Sequence, residues 1–436
     1  MFGIYASRAL LLAGAFAAVF SHHAFAADEE PMDHEPMGNE SIDHSAMAGM
    51  GMTMAGTLGP YAFTRDGTGT SWQPDTSVHQ GLHVMDGDSM YMAHVRLNFG
   101  YDWQQGPRGG EGAFFSGMVM GSARRAFDDG GALTFRAMLS PDPVMGPRGY
   151  PLLLAAGESA DGVHLLTDRQ HPHDLFMELS ATYSRALSDQ DAVFIYAGLP
   201  GEPAFGPPAF MHRMSIMDSP EAPITHHWLD STHITFGVVT GGFVHGDWKI
   251  ESSGFKGREP DESRTDIEPP KFDSAAVRLS WNPTPELALQ ASWAHLTSPE
   301  QLEPADNQKR WSASMIYTHR LEDGWWSTTL AWGRKEVTGG SPLNAWTVES
   351  AIKPVEPWTV FARVESAEND ELNGHGGAVA HVGKASLGAI HDWRVAPQML
   401  FGLGALYARN WVPGFLKAAY GGSPGGAMVF ARILVE

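Results

Sequence analysis

Two stretches of the sequence combine residue types that can bind metal ions, and the first is "MDHEPMGNESIDHSAMAGMGMTM" at 32–54. It is polar, broken by Gly and Pro, and without a strand or helix period, so we predict a disordered leader. Thioether sulfur is a soft ligand that prefers Cu(I), and imidazole suits both copper states. The alternative is a low-complexity tail that is merely rich in methionine; we favour copper. The predicted ligands are Met32, His34, Met37, His44, Met47, Met50, Met52 and Met54.

The second group of histidines lies in the strings "TDRQHPHD", "GEPAFGPPAFMHRMS" and "HHWLDSTH". These strings flank one predicted hairpin, with strands at 174–186 and 191–200, so both long loops should emerge at the same rim. The histidines and nearby carboxylates could hold a metal ion. They could instead form a hydrogen-bonded plug, because imidazole also donates to backbone carbonyls, and we favour the plug. The candidate metal ligands are His171, His173, Asp174, His212, His226, His227 and His233.

Composition and motifs argue against several other functions. The chain has no cysteine, which excludes disulfides and thiolate metal sites, and its net charge of −21 argues against a nucleic-acid partner. "HHWLDSTH" holds His, Asp and Ser, but residues so close in sequence seldom form a triad. The sequence has neither a nucleophile elbow nor a phosphate-binding glycine loop, so we predict no enzymatic activity.

The first 26 residues are typical of a secretory signal peptide. Arg8 precedes an apolar run, and Ala24-Phe25-Ala26 fits the small-residue rule for cleavage. The alternative, an amino-terminal membrane anchor, needs a longer apolar run. The sequence therefore predicts an exported chain that is periplasmic, secreted or inserted in the outer membrane.

From residue 89 onward, short segments of alternating polarity predict strands. In "MYMAHVRLNFGYDW" at 90–103, one face is apolar with aromatics near both ends, and the other carries Met90, Met92, His94 and Arg96. About sixteen such segments are joined alternately by short and long connections, which is typical of a transmembrane antiparallel outer-membrane β-barrel. A soluble all-β sandwich or propeller is the alternative, but arginines on the inner face suit a wet lumen better than a dry core. The predicted organisation is signal 1–26, leader 27–56, linker 57–88 and barrel 89–436.

Several strings resemble known proteins. "GTSWQP", "DRQHPHDLFMELSATYS", "GEPAFGPPAFMHR" and "HHWLDSTHITFGV" resemble the hallmark strings of an uncharacterised family of exported proteobacterial proteins, across most of residues 68 to 300. That resemblance implies no mechanism. The leader at 32–54 is similar to the Met/His-rich segment of copper resistance protein B, an outer-membrane barrel. This second resemblance implies copper binding by the leader, and it does not extend to the barrel histidines.

Together these patterns predict a barrel in the outer membrane of a Gram-negative bacterium, with a periplasmic leader that binds copper. Its partners would be the lipid bilayer and a metal ion, and its role copper handling or tolerance. The alternative is a general porin-like channel for small polar or anionic solutes, with arginines of the inner face as a selectivity lining.

Overall fold

Sixteen long antiparallel strands form a closed barrel in the computed structural model, as the alternating segments predicted. The structure describes residues 55–78, 80–374 and 377–436, within one compact unit, Thr53–Glu436. In chain order the strands are β1 Leu82–Asp86, β2 Ser89–Gln104, β3 Gly110–Ala126, β4 Gly131–Leu139, β5 Tyr150–Pro151, β6 Glu158–Ser159, β7 Leu165–Leu166, β8 Arg169–Gln170, β9 Phe176–Ala186, β10 Asp191–Gly198, β11 Val238–His245, β12 Trp248–Phe255, β13 Ser274–Thr284, β14 Leu287–Thr297, β15 Asn307–Arg320, β16 Trp325–Val337, β17 Leu343–Val355, β18 Trp358–Asn369, β19 Ala380–Ala396, β20 Met399–Trp411 and β21 Gly425–Val435. The barrel consists of β2–β4 and β9–β21.

The remaining elements are short. The helices are α1 His226–Leu229 and α2 Lys417–Tyr420, with 3-10 turns at Phe63–Arg65, Asp142–Met145, Phe210–His212, Ser231–His233 and Gly414–Leu416. Over the described ranges, no helix is long and apolar enough to cross a membrane.

The ring closes where β2 pairs with β21, from Val95 opposite Val435 to Gln104 opposite Gly426. β21 ends before it covers the start of β2. There β1 pairs with β2 instead, from Leu82 opposite Ala93 to Asp86 opposite Ser89. The hairpin thus covers an edge whose backbone groups would otherwise be unpaired.

Side chains alternate between an apolar outer face and a more polar inner face. On β2, Tyr91, Phe99 and Trp103 are exposed on the outside, whereas Met90 and Arg96 point inward and are buried. Such alternation arises because successive residues of a strand face opposite sides of the sheet. The exposed tryptophans near the strand ends form aromatic girdles typical of membrane barrels; they are Trp103, Trp248, Trp281, Trp293, Trp326, Trp346, Trp358, Trp393 and Trp411.

Connections at one rim are short and those at the other are long, as predicted. The two-residue turns at 246–247, 285–286, 356–357 and 397–398 contrast with the loops 140–175 and 199–237. We name these two loops together the plug, because they fold into the lumen. Phe210 and Ile216 belong to a buried apolar cluster that also contains Phe361 of the wall. Trp228 belongs to a second apolar cluster that contains wall residues of β16 and β17.

Positively charged wall residues clamp the plug from inside the barrel. Arg363 Nη2 donates to the carbonyls of Glu221 and Ala222 at 2.8 and 2.9 Å, and Lys384 Nζ lies 2.5 Å from Glu221 Oε1. Arg278 Nη1 donates to the Gly206 carbonyl at 3.0 Å. Arg278 and Arg363 are therefore both bonded to the plug in this structure.

The first part of the predicted linker 57–88 also packs inside the barrel, whereas its last part forms β1 of the sheet. Leu58, Tyr61 and Trp72 are buried with wall residues Phe194 and Val244. Polar residues of β13 also bind this segment: Arg278 Nη2 donates to Thr70 Oγ1, and Asn282 Nδ2 donates to the Gln73 carbonyl. The Gly-, Asp- and Thr-rich composition predicted a linker, and in the structure buried aromatics and backbone carbonyls anchor this segment to the wall.

Candidate metal centre

The plug brings three histidines from separate positions to one point. His173 follows the short strand β8, His226 begins α1, and His233 ends the 3-10 turn after it. Each offers a ring nitrogen, and these three nitrogens lie within 4.8 Å of one another. The ring centroids of His226 and His233 are 5.1 Å apart, and those of His173 and His233 are 5.2 Å apart. We name these three residues the histidine centre.

An acceptor orients each ring of the histidine centre through Nδ1. His173 Nδ1 lies 2.8 Å from Asp142 Oδ2, and His226 Nδ1 lies 2.8 Å from Asp230 Oδ1. His233 Nδ1 lies 2.7 Å from the Asp230 carbonyl oxygen. Because carboxylates and carbonyls accept hydrogen bonds, all three Nδ1 atoms must carry the proton, which leaves the lone pair on Nε2. This arrangement is the usual second shell of histidines that bind metals.

The Nε2 atoms of His173 and His233 are buried and have no hydrogen-bond partner among the described residues. A buried polar atom without a partner is uncommon in a folded protein and calls for an explanation. Two such atoms in rings that are already oriented through Nδ1 form a preorganised pair of nitrogen ligands. A metal ion bound between them would satisfy both.

The protonation states of residues at the histidine centre also favour metal binding. Burial lowers the pKa of the His226 imidazole, although Asp230 opposes this effect, and burial lowers the pKa of His233 further. Burial opposes ionisation of Asp230 as well, but Arg213 and His226 outweigh it and hold the pKa of that carboxyl below its ordinary value. The His226 and His233 rings are therefore neutral and the Asp230 carboxylate is ionised near pH 7, which is the state that metal coordination requires.

Arg213 connects the histidine centre to the barrel wall. Its Nη1 lies 2.7 Å from Asp230 Oδ2, and its Nη2 and Nε lie 2.7 and 2.8 Å from the two oxygens of Glu349 on β17. All three side chains are buried. The ligand-bearing loop is thus fixed by a bidentate ion pair in a region with little solvent screening.

Two further histidines lie beside the centre with different partners. The His171 ring is 6.1 Å from the His173 ring, and its Nε2 lies 3.1 Å from Glu158 Oε1. His227 Nδ1 lies 3.8 Å from Glu259 Oε1. Burial lowers the pKa of His227, but Glu259 outweighs burial and raises it to about 9.

His227, Glu259 and Glu300 also have ligand atoms within 4.8 Å of one another. Arg310 Nη2 lies 3.5 Å from Glu259 and 3.9 Å from Glu300. A protonated imidazole and a guanidinium are already present as cationic partners for these carboxylates. The histidine centre is the better metal site.

The other predicted ligands lie elsewhere. Asp174 Oδ2 is 3.3 Å from Arg264 Nη1 and forms part of an ion pair. His212 lines a separate cavity beside β2 to β4. The leader ligands from Met32 to Met54 fall outside the described residues. Sequence reasoning missed Asp142, which orients His173; its distance in sequence from His173 gives no local signal.

The closed sixteen-stranded barrel, its exposed apolar face and its aromatic girdles define an outer-membrane β-barrel protein of a Gram-negative bacterium. Among solved structures, the chain is similar to Salmonella typhi OmpF, with TM-score 0.51 and 9% identity over 80% of this chain and 100% of that one. It also matches OmpT of Vibrio cholerae (TM-score 0.46, 10% identity, 81% and 99% covered). An anion-selective porin from Comamonas acidovorans matches with TM-score 0.46 and 10% identity, covering 79% and 99%. No protein-family model matches the chain, and no curated protein does.

Proposed function

We propose that this protein binds copper in the outer membrane and acts in copper handling or tolerance. The observation that carries the proposal is the histidine centre, in which three buried imidazoles converge while acceptors orient their Nδ1 atoms. Imidazole ligands suit copper, zinc, nickel and iron, so the centre alone favours a transition metal.

Copper is the preferred metal because of the leader predicted from the sequence. Its six methionines offer thioether sulfur, which is matched to Cu(I), whereas zinc prefers thiolate, imidazole and carboxylate ligands. A soft-ligand segment and a three-imidazole centre in one chain can bind both oxidation states of copper. The proposed role is capture of copper at the outer membrane.

Electron paramagnetic resonance of Cu(II) bound to the purified full-length protein tests the proposal. We expect superhyperfine splitting from several equivalent nitrogens, and we expect His233→Ala to remove that signal. His164→Ala is the matched control, because His164 lies in the same plug, pairs with Asp161 and is exposed. A signal that is unchanged in His233→Ala, or a protein that takes up zinc but not copper, would count against the proposal.

A solute channel is the second candidate, and the inward arginines of the wall favour it. In this structure, however, Arg278 and Arg363 donate hydrogen bonds to plug residues, so conduction would require the plug to move. Planar-bilayer recording distinguishes the two functions. Large, steady conductance from the native protein would support a channel, whereas the copper-binding proposal is compatible with small or rare openings.

A further inference from the structure

The cavity that His212 lines, of about 90 Å³, lies between the wall strands β2 to β4, the segment 57–80 and the plug. Its lining is unusual in holding seven of the chain's 21 methionines. They are Met90 and Met92 of β2, Met118 and Met120 of β3, Met138 of β4, and Met211 and Met217 of the plug. His94 and His212 line it too. We name this space the methionine cavity.

Strand register places soft ligands side by side on the wall of the methionine cavity. His94 is the direct cross-strand partner of Met120, and Met120 is the direct partner of Met138. Directly opposed residues of antiparallel strands have Cβ atoms about 4.5–5.5 Å apart on the same face. The flexible methionine side chains can therefore bring two sulfurs and one imidazole to a single ion.

Packing alone does not account for this lining. Methionine often fills gaps in apolar cores, and Met118, Met138 and Met177 form a buried apolar cluster here with Ile234, against which Met120 and Met211 pack. Met177 differs from these other methionines in that it does not line the cavity. The methionine cavity, in contrast, also holds charged groups, including Arg136 and Glu178, whose side chains are 3.5 Å apart. Thioethers that share a polar cavity with an imidazole are better explained as ligands.

We infer that the methionine cavity is a Cu(I) site, with Met120 and Met138 as thioether ligands and His94 as the imidazole. Neutral thioethers stabilise a soft monovalent ion without the extra negative charge that a divalent ion would need in a cavity that already contains arginines. The inference rests on the proposed function and adds the oxidation state that the histidine centre does not select. The two sites are close: Phe210, which precedes Met211, has its ring 5.7 Å from that of His226.

Anaerobic competition with a chromophoric Cu(I) chelator tests the inference on the full-length protein. To remove the leader's contribution, the background variant carries leucine in place of the six leader methionines. We expect this background to keep one tightly bound Cu(I) and Met120→Leu/Met138→Leu to lose it. Met177→Leu is the matched control and should keep it, because Met177 lies in the same apolar cluster but outside the cavity lining.

Each other outcome is informative. A background variant that binds no Cu(I), or an equal loss in Met177→Leu, would overturn the methionine cavity as a copper site. If Cu(I) is lost in His226→Ala/His233→Ala but kept in Met120→Leu/Met138→Leu, the inference fails and the proposed function stands.

A spectroscopic measurement avoids dependence on the folding of the double variant. In the native protein labelled with [13C-methyl]methionine, the diamagnetic soft ion Ag(I) should shift the methyl signals of Met120 and Met138 and leave that of Met177 in place. Single Met→Leu variants assign the signals. Unmoved cavity signals at Ag(I) excess would overturn the inference.

Discussion

Arg213 and Asp230 form a buried ion pair, with Nη1 and Oδ2 2.7 Å apart, and this pair joins the barrel wall to the histidine centre. The same aspartate accepts from His226 through its carboxylate and lies 2.7 Å from His233 Nδ1 through its carbonyl. Asp230 therefore orients two of the three candidate ligands. Arg213 holds Asp230 in place and is itself bound to Glu349 of the wall.

Removing Arg213 should be strongly destabilising. Arg213→Ala leaves Asp230 and Glu349 as buried charges without their cation, for which a loss of about 3–5 kcal/mol is expected. The midpoint of urea unfolding, followed by tryptophan fluorescence in detergent, measures the effect. Arg334→Ala is the control: its pair with Glu336 is about one-third exposed and should contribute less than about 1 kcal/mol. Equal shifts in the two variants would contradict a clamp at Arg213.

Asp142→Asn should weaken metal binding without loosening the barrel. The amide keeps the size of the carboxylate but no longer favours the His173 tautomer with the proton on Nδ1, and losses of second-shell partners typically weaken affinity about 10–100-fold. Calorimetric titration with Cu(II) measures this change. Asp161→Asn, which alters the exposed Asp161–His164 pair on the same loop, should have no effect. Similar affinities for both variants would show that Asp142 does not support a ligand.

The free energy of unfolding should depend on pH partly through Glu202 in the plug. Burial raises the pKa of this carboxyl to about 8, although Arg278 opposes the effect. Between its ordinary pKa and about 8, the unfolded chain releases a proton that the folded protein keeps. Stability should therefore fall as pH rises, by up to about 1.4 kcal/mol per pH unit from this group.

Glu202→Gln isolates that contribution. The unfolding midpoint of the native protein should decrease from pH 5 to pH 8, and the variant should show a smaller decrease over the same range. Replacement of the exposed Glu111 by Gln should leave the profile unchanged. A Glu202→Gln profile parallel to the native one would mean that the carboxyl is ionised throughout.

Loop lengths predict that the plug rim faces outward and the short turns face the periplasm. A tag after Asp266, in the long connection 256–273, should be labelled on intact cells. A tag at Gly246, in the two-residue turn between β11 and β12, should be labelled only after permeabilisation. The reverse pattern would invert the orientation and place the leader outside the cell.

The leader should bind Cu(I) through sulfur. Thioether has no proton to lose, so a peptide of residues 27–56 should bind Cu(I) at pH 5 nearly as well as at pH 7. Its Cu(II) binding should weaken at pH 5, because histidine protonates near pH 6.5. Replacement of Met47, Met50, Met52 and Met54 by Leu should weaken Cu(I) binding, measured by chelator competition. Unchanged affinity would remove the methionines as ligands.

Local sequence patterns were sufficient to predict the barrel strands, but they were insufficient to predict how the plug folds inside the lumen. Alternation assigns Met90 and Tyr91 to opposite faces, and turn spacing gives the strand order, because both depend on neighbours in sequence. The plug depends on long-range pairs such as Arg213 with Glu349, which no local pattern encodes. Of the candidate histidines at 171–233, the structure brings His173, His226 and His233 to one point, and this selection depends on how the loops fold.

Part of the methionine cavity is detectable in the sequence, as methionines at two-residue spacing on neighbouring strands. Met90, Met92 and His94 were placed on the inner face of β2. Met118 and Met120 have the same two-residue spacing on β3, but the surrounding segment alternates poorly because glycines and small residues interrupt it. Only strand register shows that Met120 and Met138 stand beside His94.

Asp218 of the plug lies between Arg96 of β2 and Arg432 of β21, and it forms an ion pair with each of them. These are the two strands at which the ring closes, so the carboxylate offsets the repulsion between two guanidinium groups across the seam. Closure of the sheet and insertion of the loop therefore stabilise each other in the folded protein. A loop inside the lumen thus helps to hold together the two strands that close the barrel wall.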